Sequence, residues 1–430
     1  MNQTINKTDI KDFFTTYFNS SKNSFAIKSL AGRREEAFAI FEKQGFPTTK
    51  NEEWKYTNIT PILKKEYNYL PSSSINKKDV EDYFIEGLKA NICVFVNGVF
   101  SKEHSSILDK NLVVQNFSEA NEDDITAYFN KDIYPANSAL TALSTALAEN
   151  GAYIKIPKGK IIEHPVVLHF IADAKEGNVF VQPRNLIIAE ENSQAQLVEL
   201  ITTTGKNNSF TNIVTEIVVK DNALLEYYKI QNDPQSQVNT TQVYQEAKSV
   251  FSSATISLEG EVVRNNLNIT LNAEHCEAFL NGLYFLKGKQ HTDNHTLVNH
   301  AKPNCYSNEL YKGILADKSR GVFNGKIFVK PDAQKTNAFQ SNKNILLSQD
   351  AIMDTKPQLE IYANDVKCSH GATVGQMDEE PLFYLRSRGI SENAARALLV
   401  NAFANDILEH IKIDVLKEKI EHVISTRLLV

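Results

Sequence analysis

The spacing of apolar residues divides the chain into three parts. Up to about residue 145, apolar residues mostly recur at intervals of three and four, which predicts helices. In "AGRREEAFAIFEKQGFP", Phe38 and Phe41 belong to such a stripe, and Gly45 marks its end. Residues 1–150 are therefore predicted to form a mainly helical N-terminal domain.

Two further elements are predicted within this first part. The segment "NICVFVNGVF" predicts a strand followed by a turn at Asn97 and Gly98. The segment "NSALTALSTALAENGA", residues 137–152, predicts a helix that ends at Gly151. The domain is thus expected to contain a short hairpin among its helices.

From residue 153 to 370 the pattern changes to short apolar strands separated by polar turns. Four similar turns contain small residues spaced 28, 55 and 60 positions apart, namely Ala195, Ala223, Ala278 and Ala338. Spacings close to multiples of about 28 to 30 favour a β-solenoid, whose stacked rungs bury a continuous core, over a β-sandwich. Residues 151–375 are therefore predicted to form a β-helix core.

After Gly375 the chain becomes helical again. Asp378 and Ser391 are predicted N-caps of two helices, and Gly389 ends the first of them. The second helix is expected to bury a stripe at helical spacing, which consists of Ala395, Leu398, Leu399, Ala402, Phe403, Ile407 or Leu408, and Ile411. With a last helix in "DVLKEKIEHVIST", residues 376–430 form a predicted C-terminal helical domain that packs on the β region or on a partner.

Composition and charge narrow the class of protein. The 430 residues are 42% hydrophobic and 23% charged, as in water-soluble globular proteins. The net charge is -6, with 46 basic and 52 acidic residues intermixed, which argues against a nucleic-acid partner. The first residues have no signal-peptide pattern and no apolar run is long enough for a membrane span, so we expect a cytoplasmic protein.

The cysteines and histidines offer one candidate site. Four widely spaced cysteines without a C-x-x-C pair argue against a disulfide framework and a structural zinc site. Cys368 and His370 share one face of an extended strand, and a thiolate with an imidazole suits iron–sulfur chemistry, although two ligands are an incomplete site. The alternatives are a buried thiol beside a hydrogen-bonding histidine, and a Cys–His nucleophilic dyad without an orienting third group.

Other candidate residues are weaker. In "HTDNHTLVNH", His291 and His295 share a strand face and could bind a metal, while His300 faces the other way; a polar sheet face is the alternative. Trp54, the only tryptophan, is expected to pack or dock. Neither a P-loop nor a dinucleotide-binding motif occurs, so nucleotide hydrolysis is not expected of this chain.

Three segments together resemble the SufD family of the SUF iron–sulfur cluster assembly scaffold. They are "NEEWKYTNI", "YKGILADKSRGVFNGKIFVKPDAQKTNAFQSNKNILLS" and "DVKCSHGATVGQMDEEPLFYLRSRGIS", and the resemblance extends over essentially the whole chain. It implies a right-handed parallel β-helix core between N-terminal and C-terminal helical domains. This fold agrees with the three regions predicted above.

The resemblance also implies a function. It implies a non-enzymatic scaffold that pairs with a SufB-type paralogue through the β-helix ends and with a SufC-type ATPase through the C-terminal helices. A nascent iron–sulfur cluster would form at the interface with SufB, where His370 matches a family histidine implicated in cluster formation and Cys368 matches its neighbouring cysteine. A reduced flavin is expected in the assembled complex, and whether it contacts this subunit stays open, as does a homodimer of the isolated chain through an exposed β-edge.

Two other functions are compatible with the patterns. A cytoplasmic β-helix enzyme of the polymer-binding or lyase type would use the long solenoid face. A purely structural module would bury Cys368 and His370, and apolar residues of similar size could replace them.

Overall fold

A computed structural model describes residues 3–5, 10–130 and 138–429. The helices divide into an N-terminal and a C-terminal group, as the sequence predicts. They are α1 (Ile10–Ser21), α2 (Ala31–Gln44), α3 (Thr60–Leu63), α4 (Lys77–Glu81), α5 (Glu122–Tyr128), α6 (Ala139–Ala146), α7 (Glu379–Ser387), α8 (Glu392–Leu408) and α9 (Asp414–Leu429).

Strands occupy almost all of the region between the two helical groups. They are β1 (Gln3–Ile5), β2 (Tyr67–Tyr69), β3 (Asn91–Val96), β4 (Val99–Phe100), β5 (Val113–Asn116), β6 (Ala152–Ile156), β7 (Val166–Ala174), β8 (Val179–Val181), β9 (Arg184–Ala189), β10 (Gln194–Gly205), β11 (Ser209–Val219), β12 (Leu224–Asn232), β13 (Ser236–Gln245), β14 (Val250–Glu259), β15 (Val262–Leu271), β16 (Glu277–Leu286), β17 (His291–His300), β18 (Tyr306–Leu315), β19 (Arg320–Val329), β20 (Asn337–Leu346), β21 (Ile352–Ile361) and β22 (Lys367–Gln376).

These strands form two sheets, which together make up one solenoid. The first sheet follows the order β1-β2-β8-β11-β13-β15-β17-β19-β21, with β5, β6 and β9 attached, and the second follows β22-β20-β18-β16-β14-β12-β10-β7-β3-β4. From β10 onward the chain alternates between the sheets, and each strand pairs in parallel with the strand two later. The chain is therefore a parallel β-helix of about 7 turns, flanked by helices, which confirms the predicted fold class.

The register explains the repeat seen in the sequence. Ala278 pairs with Ser307, which pairs with Ala338, and Ala195 belongs to the same inward-facing column. Ala223 precedes its strand and lies at the corner instead. The spacing of these alanines therefore matches the length of a rung, although Ala223 occupies a different position in its rung from the other three.

Successive rungs turn the same kind of corner. Asn192, Asn222, His275 and Asn304 have φ of 57°, 58°, 61° and 62°. This left-handed conformation is one that Asn adopts more readily than most residues. A small inward residue follows the left-handed residue in each rung, and these residues are Ser193, Ala223, Ser249, Cys276, Cys305 and Thr336.

The helical groups cover opposite sides of the solenoid. In the N-terminal group, Phe14, Phe41 and Leu143 pack with Phe180 and Phe210 of the first sheet. Helices α8 and α9 pack in the same way on outward-facing residues of the second sheet, including Val198, Tyr228, Ile256 and Leu283. Both apolar outer faces are thereby removed from water.

Two local predictions differ from the structure. The helix predicted to reach Gly151 ends at Ala146, because the chain must extend to enter β6, and a side chain at Gly151 (φ 140°) would overlap the backbone of Arg184. Residue 137, where that helix was predicted to start, lies outside the described residues. In addition, the five strands β1 to β5 of the predicted N-terminal domain belong to the two sheets, with β3 beside β7 in the second sheet.

The predicted stripe of α8 is wrong at Leu398 and Ala402, which are exposed, and is confirmed at the buried residues Ala395, Ile407, Leu408 and Ile411. Leu398 is 51% exposed, whereas Val400 and Ala404 are buried against the second sheet. At the same interface, the ammonium of Lys312 on β18 donates to the Phe403 carbonyl at 2.9 Å. The observed rotation of the helix therefore combines apolar packing on the second sheet with a polar contact from β18.

The rungs near the open end interlock through glycine and tyrosine. Tyr284 pairs in register with Gly313, and Gly282 pairs with Tyr311, so each ring lies over a glycine in the neighbouring rung. We expect Gly313→Ala to destabilise the fold by about 1–3 kcal/mol, because the added methyl group would overlap the Tyr284 ring and the Asn344 side chain. The measurement is the midpoint of denaturant-induced unfolding, followed by circular dichroism.

Gly375→Ala is the matched control for this prediction. No described atom lies within 4 Å of the position that its Cβ would occupy. Equal midpoints for the two variants would show that the ring packing over Gly313 does not limit stability.

Candidate functional site

Cys368 and His370 lie on β22, the last strand of the second sheet. Their registered neighbours on β20 are Ala338 and Gln340, both buried inside the solenoid. Because side chains alternate along a strand, the two candidate residues share the inward-facing side of the end rung. The structure therefore brings the predicted pair onto one face, at the point where the interior of the β-helix opens.

The two side chains have different surroundings. Cys368 is half-buried and packs against the solenoid core, and burial raises the pKa of its thiol. His370 is exposed. The structural-module alternative predicted that both residues are buried, and for His370 this is wrong.

The end rung exposes backbone and apolar side chains together. Strands β21 and β22 each have a paired strand on one side only, so their outer edges carry free backbone donors and acceptors. Large apolar residues at this end are also exposed, namely Phe339, Ile352, Ile361, Tyr362 and Val374. An exposed edge of this length with apolar side chains is typical of an interaction surface.

A buried polar layer lies directly beneath His370. In the inward column, His370 is followed by Gln340 and Glu309 in successive rungs. Gln340 Nε2 donates to Glu309 Oε2 at 2.8 Å, and burial raises the pKa of Glu309 to about 7. The sequence patterns did not reveal this layer; an acidic and an amide residue at inward positions of two neighbouring strands are the signal, and it becomes visible only when the register is known.

The histidine-rich strand β17 serves to dock the Trp54 segment. His291 Nε2 lies 2.8 Å from Thr57 Oγ1, and His295 lies between Glu53 and Asp293, at 3.3 and 2.9 Å. These side-chain contacts connect the first sheet to the segment that contains Trp54.

Trp54 itself is buried, with the guanidinium of Arg264 4.1 Å from its ring centroid, which confirms its predicted packing role. His300 faces away from His291 and His295, as predicted, and lies in the interior, where burial lowers its pKa to about 3. In the described ranges there is no group of three or more His, Cys, Asp or Glu that could hold a metal ion.

The C-terminal helices present a second surface. The Asp378 carboxylate accepts from the Glu380 N–H and the Ser391 hydroxyl from the Ala394 N–H, which confirms both predicted caps. Phe383 of α7 is 73% exposed and Tyr384 is 56% exposed. In the described part of the chain, no helix is long and apolar enough to cross a membrane.

Comparison with known proteins gives matches along nearly the whole chain. The family model of the SufBD core domain, described as SUF system FeS cluster assembly, matches residues 170–403, and the model of the SufBD protein N-terminal region matches residues 6–168. An iron–sulfur cluster assembly SufBD family protein of Synechocystis sp. is 30% identical over 413 residues, covering 93% of this chain and 91% of that protein.

Two similar proteins carry the name SufD. The iron–sulfur cluster assembly protein SufD of Escherichia coli is 31% identical over 398 residues, covering 90% of each chain. SufD of Bacillus subtilis is 26% identical over 408 residues, covering 90% of this chain and 92% of that protein. The resemblance predicted from the sequence is confirmed, and the chain belongs to the SufBD family of the SUF iron–sulfur cluster assembly system.

Proposed function

We propose that this chain is a non-catalytic scaffold subunit on which an iron–sulfur cluster is built at an interface with a SufB-type subunit. The observation that carries the proposal is the placement of Cys368 and His370 on the inward side of the open end rung. There, both residues can face a partner subunit while the rest of the solenoid stays closed. The nascent cluster is the cargo of this site and leaves it after assembly.

The chemistry of the pair fits a shared site. Cluster irons are bound by thiolates and, in some centres, by imidazoles, and this chain offers one of each. Burial favours the protonated thiol of Cys368, so iron binding would have to displace that proton. The remaining ligands are supplied by the partner in this proposal.

The end of the solenoid supports such pairing. A partner strand can add to the free edges of β21 and β22, which gives affinity through backbone hydrogen bonds. The exposed Tyr362 and Val374 beside these edges would be buried at the same time. In the absence of the SufB-type subunit, the same edge can pair with a second copy of this chain.

The C-terminal helices are the proposed contact for a SufC-type ATPase. Phe383 and Tyr384 are large aromatic residues exposed on α7, and aromatic residues of this kind often dominate binding energy. Nucleotide hydrolysis belongs to that partner, in keeping with the lack of a P-loop motif in this sequence. A reduced flavin in the assembled complex stays a prediction of the family resemblance.

The first test replaces His370 with Ala in the complex with SufB-type and SufC-type partners. We expect the cluster formed in anaerobic reconstitution to fall about 10-fold to 100-fold, since loss of a ligand should cost at least as much as loss of an outer-shell partner. Cys368→Ala is measured in parallel, with His275→Ala, an exposed histidine at a corner in the middle of the solenoid, as the control. Cluster content is read from the absorbance of the iron–sulfur chromophore at matched complex yield.

The complex must still assemble for this result to count. Normal cluster formation by both site variants would exclude the shared site and leave the end rung a structural surface. If the His370 variant loses the cluster only because the complex no longer assembles, His370 contributes to subunit pairing and not to cluster binding.

The second test concerns the ATPase contact. Replacing Phe383 and Tyr384 together with Ala should weaken binding of the isolated ATPase by about 10-fold or more, because truncating buried interface aromatics typically costs over about 1 kcal/mol each. Titration calorimetry measures this affinity. Val99→Ala, an exposed apolar position at the other end of the solenoid, should bind normally, and equal affinities for all three proteins would refute this docking surface.

A further inference from the structure

Two cysteines outside the candidate site are stacked in consecutive rungs. Cys276 directly precedes β16 and Cys305 directly precedes β18, and the Tyr306 N–H donates to the Cys276 carbonyl at 3.0 Å. Glu277 and Tyr306, the next residues, are registered partners, so the cysteines occupy the same corner position of adjacent rungs. Cα atoms of such neighbours are about 4.8 Å apart, within the range that disulfides span.

The corner position has a regular hydrogen-bond pattern, from which Cys305 departs. The side chains of Ser249, Cys276 and Thr336 each donate to the carbonyl three residues earlier, at 2.6, 3.2 and 2.9 Å. The Cys305 thiol lacks that bond and lies 3.1 Å from the Ala273 carbonyl of the preceding rung, just as the Cys276 thiol lies 3.1 Å from the Glu246 carbonyl. Because Ala273 is also an acceptor of Cys276, both sulfur atoms lie close to the same carbonyl oxygen.

The pairing of the sulfur atoms prepares one of them for reaction. The interaction between the two neighbouring thiols lowers the pKa of Cys276 and raises that of Cys305. Packing does not require sulfur here, because serine fills the same corner at Ser193 and Ser249. The sulfur atoms lie just beneath a surface turn, where His275 is exposed, so a small opening of the turn gives access to a small reagent.

We propose that Cys276 and Cys305 are an oxidisable dithiol that forms a disulfide between consecutive rungs, with hydrogen peroxide as the oxidant. The Cys276 thiolate attacks one peroxide oxygen, the O–O bond breaks, and the products are a Cys276 sulfenic acid and water. The Cys305 sulfur then attacks the Cys276 sulfur, the S–O bond breaks, and a second water leaves. Each peroxide is thus reduced to two waters while the two thiols lose two electrons and two protons.

This modification is independent of the cluster site. Cys93 lies elsewhere in the buried core, and Cys368 is on the end rung. A disulfide at the corner would tie two rungs together covalently and would resist their separation. A small dithiol reductant would reverse it by thiol–disulfide exchange.

The test exposes the reduced full-length chain to hydrogen peroxide, then denatures it with an alkylating reagent present. We expect two of the four thiols to escape alkylation, and peptide mapping should find the Cys276 and Cys305 peptides joined and lighter by two hydrogen atoms. Dithiothreitol should restore both thiols. A low-molecular-weight thiol in a parallel tube, without the protein, verifies that the oxidant is active.

Cys276→Ser and Cys305→Ser are the matched variants, and both should fold because serine is native to this corner. Neither variant should yield the joined peptides, and the remaining corner cysteine of each should form no disulfide within the chain. Cys93→Ser, the control, should still form it. The proposal is overturned if both corner cysteines of the wild-type chain can still be alkylated although the low-molecular-weight thiol has been oxidised. It is also overturned if either corner cysteine forms a disulfide with Cys93 or Cys368 instead.

Discussion

In-register parallel stacking is the constraint on which the rest of this molecule depends. Each rung finds its hydrogen-bond partners and its inward neighbours in the rungs on either side, so no rung is complete alone. The last rung necessarily lacks one neighbour. Its inward residues, Cys368 and His370, therefore meet solvent although the residues beneath them, Ala338 and Gln340, are buried. The candidate site is a direct consequence of where the stack stops.

The interior of the stack is not uniformly apolar, and this limits which residues can be exchanged. Lys229 and Glu199 form a buried ion pair at 3.0 Å, and Glu309 depends on Gln340 for a hydrogen bond. Removing one member of such a pair leaves an unpaired polar group in a low-dielectric interior, which typically costs more than the pair contributes. The pairing register of these strands therefore cannot shift by even one residue, because such a shift would separate all of the buried polar pairs at once.

Sequence patterns predicted the features that repeat and missed those that depend on contacts between distant segments. The rung length was readable because Ala195, Ala278 and Ala338 recur in one column, and the helix caps were readable because Asp378 and Ser391 act within one turn. The face that α8 buries could not be predicted, since it depends on residues of the second sheet, including Lys312, that come far earlier in the chain. The partners of His291 and His295 were hidden for the same reason, and the pairing of Cys276 with Cys305 required the register.

The chain thus holds cysteines in two contrasting settings within the same repeat. Cys276 and Cys305 are enclosed at a corner, where each is the other's neighbour and, within the described residues, no group of three possible metal ligands forms. Cys368 lies at the open end, where its column neighbour Ala338 cannot react with it and the free side faces outward. A thiol with an internal partner is suited to form a bond within the chain, whereas a thiol without one is suited to bind a ligand shared with another subunit. The position in the stack, more than the residue type, separates these two chemistries.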